Sequence, residues 1–205
     1  MSTTVRSVPA AATGAVFAVV LTVAAGDGGT LSTAQHVAAT SALTLLIPFT
    51  VYVGALVRAR STSATDLWLA GTAVAAGAVG ACIKLLSDVP EIAQSDSRIV
   101  AGSQTAAALD ALAGATTVLA LIPLAAFALA TGAAALRTGA LPRWLGVGAL
   151  VAGVGLAVNG CFLHTENVPA LPLFALWCLV TSIQQVRAAR RSEVAAGSVS
   201  AAPAG

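Results

Sequence analysis

Six apolar runs, separated by short polar segments, constrain this chain more than any other feature of its sequence. A helix rises about 1.5 Å per residue, so about 20 apolar residues cross the hydrocarbon core of a bilayer. The chain is 58% hydrophobic and only 9% charged, which is more apolar surface than a soluble core of this size buries. We therefore predict an all-α integral membrane helical bundle. Its six transmembrane helices are expected near residues 9–25, 36–57, 66–86, 106–136, 143–163 and 168–186.

The runs follow one another closely enough to form one domain. We expect a single transmembrane bundle over residues 1–190 and a disordered cytoplasmic tail over residues 191–205, where Ala, Ser and Gly replace the apolar pattern. The first run has an alternative interpretation. Arg6, the apolar residues after it and the small residues at 23–25 also have the pattern of a cleaved secretory signal, which would leave five spans.

Basic residues between the runs lie mainly on one side of the predicted membrane. With the N-terminus inside, the inside segments carry eight arginines: Arg6, Arg58, Arg60, Arg137, Arg143, Arg187, Arg190 and Arg191. Only Asp66 and Glu193 oppose them there, whereas the other side holds six of the eight acidic residues. Short cytoplasmic loops carry an excess of Lys and Arg. We therefore expect a multi-pass protein of the cell membrane with both termini in the cytoplasm.

The clearest local pattern is the turn "LRTGALPRWLG" at residues 136–146. Gly139 is the residue type that ends a helix, Pro142 is suited to the start of the next one, and Trp144 is typical of the headgroup region. Together with "VGALVAGVGLAV" and "ALPLFALWCLVTSIQQVR", this turn resembles a broad group of uncharacterised multi-pass membrane proteins common in actinobacteria. The resemblance implies the architecture only, and no functional residue follows from it.

Five polar residues near the outer helix ends are the candidates for chemistry: His36, Lys84, Asp110, His164 and Glu166. We expect Lys84 and Asp110 to pair between neighbouring helices, either as a structural contact or as part of an active site. His36 and His164 with Glu166 or Asp27 offer ligand types that suit zinc or copper, but their spacing is not that of a known metal motif. We therefore predict no metal and no cofactor. Gln184 and Gln185 are expected at the inner end of the last run, close to water.

No catalytic motif with a known mechanism occurs, so the sequence leaves three functions open. The first is a non-enzymatic accessory protein, sensor or ligand-binding unit. The second is a membrane-embedded enzyme that uses the five outer residues for isomerisation or cyclisation of a lipid-like or isoprenoid substrate. The third is a transporter. The expected partners are the lipid bilayer, a lipid-like small molecule and a second copy of the chain. Nucleic acid is excluded because basic residues interleaved with aromatic ones are missing.

Overall fold

A computed structural model describes residues 8–26, 40–41, 43–95, 103–163 and 170–200, and this part of the chain contains no β-strand. The prediction of an all-α bundle is therefore confirmed, and every predicted run contains helical residues in the part of the chain that the structure describes. The helices are α1 (Val8–Gly26), α2 (Leu46–Arg58), α3 (Ala64–Ser95), α4 (Ser103–Thr138), α5 (Arg143–Val158) and α6 (Ala170–Ser200). A short π-helical turn, Asn159–Leu163, continues α5.

Three of the described helices are long and apolar enough to cross a membrane, judged by length and composition: Ala64–Pro90, Gln104–Thr138 and Arg143–Leu163. The described apolar stretches of α1 and α2, Val8–Val20 and Leu46–Arg58, are shorter. Helix α2 begins later than the predicted run at 36–57 because a turn at Thr44 and Leu45 precedes it. Pro48 lies in the first turn of α2, where proline is best tolerated because its missing N–H has no partner within the helix.

The helices pack in chain order around a filled centre. Each helix contacts the next one, and α6 returns to contact α1. Phe49 from α2, Phe127 from α4, and Phe174 and Trp177 from α6 are all buried. The ring centroids of Phe127 and Trp177 lie 5.9–6.5 Å from those of the other rings in the group. The Trp177 indole N–H donates a hydrogen bond to the Leu145 carbonyl at 2.9 Å, which ties α6 to α5.

Helices α4 and α5 approach closely where glycines face each other. A Cβ on Gly132 would lie 2.8 Å from the Gly146 carbonyl oxygen, and one on Gly153 would lie 3.0 Å from the Leu129 backbone nitrogen. Small residues allow such contact between helix backbones in membranes. The turn that joins the two helices has the predicted form: α4 ends at Thr138, Gly139 adopts φ +64°, and Pro142 immediately precedes α5.

Helix α6 is longer than the sequence predicts. We expect a tail from residue 191, but the helix continues to Ser200, and only residues 201–205 of the predicted tail lie outside the described structure. Residues 192–200 contain two alanines beside serine, valine and glycine, so helix propensity does not explain the extension beyond the apolar part of the run.

Candidate functional site

The two ends of the bundle carry different polar groups. The arginine-rich end comprises residues 58–66, 137–146 and 184–191, where α2 and α4 end and α3 and α5 begin. The opposite end contains the later part of α3, where Asp88 follows Asp66 by 22 residues. At about 1.5 Å per residue that separation corresponds to roughly 33 Å along the helix. Each end therefore has to be considered separately as a site.

At the opposite end, a small polar cluster is built mainly from one turn of α3. The Lys84 ammonium donates hydrogen bonds to Asp88 Oδ1 at 2.5 Å and to Ser87 Oγ at 2.8 Å. Ser87 and Asp88 are both buried. Thr40, from the segment before α2, donates to Asp88 Oδ2 at 3.0 Å. The cluster thus neutralises the Lys84 charge and connects α3 to the chain that leads into α2.

The predicted pair between Lys84 and Asp110 is wrong in this structure, because the ion-pair partner of Lys84 is Asp88. Residues four apart on a helix face each other, so Asp88 reaches the ammonium without any contribution from α4. Asp110 is exposed on α4. The spacing of four residues between Lys84 and Asp88 indicates this pair from the sequence alone, without knowledge of how the helices pack.

The other three sequence candidates, His36, His164 and Glu166, lie outside the described residues. The structure therefore describes two of the five candidates, Lys84 and Asp110, and does not pair them. Within the described ranges, no group of three or more His, Cys, Asp or Glu side chains is placed to hold a metal ion.

At the arginine-rich end, polar contacts connect different helices. The Arg137 guanidinium, at the end of α4, donates to Asp66 Oδ1 at 2.7 Å, near the start of α3. The Asp66 side chain is 7% exposed and that of Arg137 is 52% exposed, so the pair lies at the edge of the packed bundle. Arg60, in the turn after α2, donates through Nη1 to the Gly139 carbonyl at 2.6 Å. The first contact joins α4 to α3, and the second joins the α2–α3 turn to the α4–α5 turn.

A cleft of about 350 Å³ lies beside the second of these contacts. The α2–α3 turn contributes Arg60, the α4–α5 turn contributes residues 139–142, and α6 contributes Gln184, Gln185 and Ala188. Gln185 is 5% exposed although its side chain is polar. The cleft therefore combines a guanidinium group, two carboxamides and backbone groups in one concave site.

The charge around the cleft is strongly positive. The described part of this end carries seven arginines: Arg58, Arg60, Arg137, Arg143, Arg187, Arg190 and Arg191. The acidic residues in the same region are Asp66, which pairs with Arg137, and Glu193. A concave surface surrounded by one sign of charge attracts ligands of the opposite sign. This electrostatic field favours an anion at the cleft.

A second concavity, the α3–α4 groove, is apolar and has a volume of about 510 Å³. Its walls include Ala76 and Val79 from α3 and Ile122 and Pro123 from α4. Neither this groove nor the cleft is lined by Lys84 or Asp110. Thr72 is the one polar side chain among the described residues that line the groove, so the groove offers mainly apolar contact.

Comparison of the chain with protein-family models, with curated proteins and with solved structures finds no match. The sequence predicts the arginines on one side of the membrane and Gln184 and Gln185 close to water, whereas Gln185 is 5% exposed in the structure. It does not predict the cleft, because a cleft depends on which face of α6 meets the α4–α5 turn.

Proposed function

We propose that this protein is a non-enzymatic ligand-binding unit of a bacterial cell membrane, and that the cleft of the arginine-rich end is its binding site. The observation that carries the proposal is the cleft itself, where Arg60 and Gln185 face a volume of about 350 Å³. Arginine stays protonated in proteins and a carboxamide does not titrate, so these groups form hydrogen bonds without exchanging protons. Such chemistry supports binding of a small polar molecule over acid–base turnover.

The proposal includes six spans with both termini in the cytoplasm, so that the cleft opens to the cytoplasm. The positive-inside rule supports this orientation, because seven arginines lie at the end of the bundle that contains the cleft. Trp68 and Trp144, 67% and 54% exposed, lie close to the same end, as tryptophans at a membrane interface do. Six spans are also what the resemblance of residues 136–146 to the actinobacterial membrane proteins implies.

Two observations favour this function over the alternatives. The buried rings of Phe49, Phe127 and Trp177 fill the centre of the bundle, which is unfavourable for a transport route through it. At the opposite end, the Lys84 ammonium is neutralised by Asp88. This pairing supports a structural role for Lys84 over a role as an acid or base.

Cysteine labelling tests the proposal. Ala188→Cys places a thiol in the cleft, and Thr62→Cys places a matched thiol in the exposed α2–α3 turn outside it. Both variants carry Cys82→Ser and Cys161→Ser, because these two native cysteines are exposed, whereas Cys178 is buried. A membrane-impermeant thiol reagent is applied to inside-out and right-side-out membrane vesicles, with and without the dialysable fraction of a bacterial cytosolic extract.

We expect both thiols to react in inside-out vesicles only, and we expect the extract to slow the reaction at position 188 but not at position 62. Reaction from the other face would contradict the orientation. Equal rates with and without the extract at position 188, or equal slowing at both positions, would contradict the cleft as a binding site.

A further inference from the structure

The donors that face the cleft indicate the chemical class of its ligand. We propose that the cleft binds a phosphate group, an inference that rests on the proposed binding function. One N–H of Arg60 is held by the Gly139 carbonyl at 2.6 Å. A guanidinium has five N–H donors in a planar fork, so the bond to Gly139 fixes its orientation and leaves further donors for a ligand. An oriented guanidinium matches the oxygens of a phosphate, which it binds through two parallel hydrogen bonds.

The charge of Arg60 is not neutralised by the other groups that line the cleft. Arg60 is the single charged residue among the described residues of the lining, and the Gly139 carbonyl that it contacts is neutral. Asp66, the nearest acidic residue along the chain, is engaged by Arg137 at 2.7 Å. An anion in the cleft would therefore gain the attraction of Arg60 without repulsion from a carboxylate of the lining.

The second wall provides donors without charge. Gln185 is 5% exposed and lines the cleft together with Gln184. A carboxamide carries two N–H donors, which complement phosphate oxygens that the guanidinium does not reach. A volume of about 350 Å³ is at the lower end of the range of roughly 300–1,000 Å³ for ligand pockets. The ligand that fits is a phosphate with a small organic group, such as glycerol phosphate.

The depth of the cleft makes two sources of phosphate reachable. The membrane-spanning stretch of α4 ends at Thr138 and that of α5 begins at Arg143, and residues 139–142 between them line the cleft. The cleft is thus at the level of the lipid headgroups. The phosphate of an anionic phospholipid and that of a soluble phosphate ester present the same oxygens to Arg60 and Gln185.

Labelling of Ala188→Cys by a neutral maleimide in nanodiscs separates these sources. Glycerol phosphate is added to protein in phosphatidylcholine nanodiscs, and a second preparation uses phosphatidylglycerol nanodiscs without additive. Arg60→Gln removes the charge but keeps a donor for Gly139, and Arg58→Gln is the matched control outside the cleft. We expect the phosphate ligand to slow maleimide labelling at position 188. This protection should be about tenfold weaker in Arg60→Gln and unchanged in Arg58→Gln.

Protection by glycerol phosphate identifies a soluble ester as the ligand, and protection in phosphatidylglycerol alone identifies the lipid headgroup. Either result supports the phosphate proposal if the protection is weaker in Arg60→Gln. Protection that is equal in wild type, Arg60→Gln and Arg58→Gln would overturn it. If neither phosphate protects but the cytosolic extract still does, the phosphate inference fails and the binding function stands. If the extract does not protect either, both fail.

Discussion

The arginine-rich end and the opposite end of the bundle use polar side chains in different ways. At the arginine-rich end, Asp66 and Arg137 are 71 positions apart in the sequence, and Arg60 and Gly139 are 79 apart. At the opposite end, Lys84 contacts residues three and four positions away on its own helix. A contact within one helix persists when the helices separate, whereas a contact between helices is lost. The arginine-rich end is therefore where polar groups determine how the helices assemble.

The largest effect is expected at the turn between α4 and α5. Gly139 has φ +64°, a conformation that costs other residues about 1–2 kcal/mol and is least favourable for β-branched ones. Gly139→Val should lower the free energy of unfolding by about 2 kcal/mol and displace the carbonyl that Arg60 contacts. Unfolding in mixed detergent micelles measures this loss. Gly139→Asn is the control and should lose clearly less, because asparagine tolerates positive φ; equal losses would contradict the account.

A smaller effect is expected from the pair between α3 and α4. Asp66→Asn should lower stability less than Gly139→Val does, because half of the Arg137 side chain is exposed to solvent that screens the pair. A double-mutant cycle with Arg137→Gln in the same micelle assay measures the coupling. We expect it to exceed the coupling of Lys84 with Asp88 measured in the same way. The reverse order would contradict the contrast between the two ends.

At the opposite end, one contact does join separate parts of the chain, and it sharpens the comparison. Thr40→Val removes the hydroxyl that donates to Asp88 and keeps the shape of the side chain. Hydrogen bonds between membrane helices average about 0.6 kcal/mol, and we expect a loss of that size in micelle unfolding. If Thr40→Val lost more stability than Asp66→Asn, the main polar connection between helices would lie at the opposite end, which would contradict the contrast between the two ends.

The smallest effect is expected at the residue that sequence analysis paired with Lys84. Asp110 is exposed, so Asp110→Asn should change the free energy of unfolding by less than about 0.5 kcal/mol. Its effect should also add to that of Lys84→Met without coupling, because the two groups do not pair in the structure. A coupling energy above about 0.5 kcal/mol in the double mutant would show that Lys84 and Asp110 do interact, as the sequence predicts.

Features encoded within a few residues could be predicted from the sequence, and contacts between distant helices could not. Gly139 and Pro142 mark the turn between α4 and α5 by their own backbone preferences, and the apolar runs indicate the helices. The pairing of Asp66 with Arg137 depends on the rotation of α3 and α4 about their axes, which composition does not encode. The predicted partner of Lys84 is wrong because Asp88, one turn later on the same helix, reaches the ammonium without a neighbouring helix. The cleft depends on three segments that meet only in the fold.

The central claim is that the two ends lie on opposite sides of a membrane, with the arginine-rich end in the cytoplasm. Single cysteines at Thr62, in the α2–α3 turn, and at Ser97, between α3 and α4, test it most directly. In a background with Cys82→Ser and Cys161→Ser, a membrane-impermeant thiol reagent is applied to intact cells with a permeabilised outer barrier and to inside-out vesicles. The account predicts labelling of Thr62→Cys in inside-out vesicles only and of Ser97→Cys in cells only. Labelling of both positions from the same face, or of each from the reverse face, would contradict it.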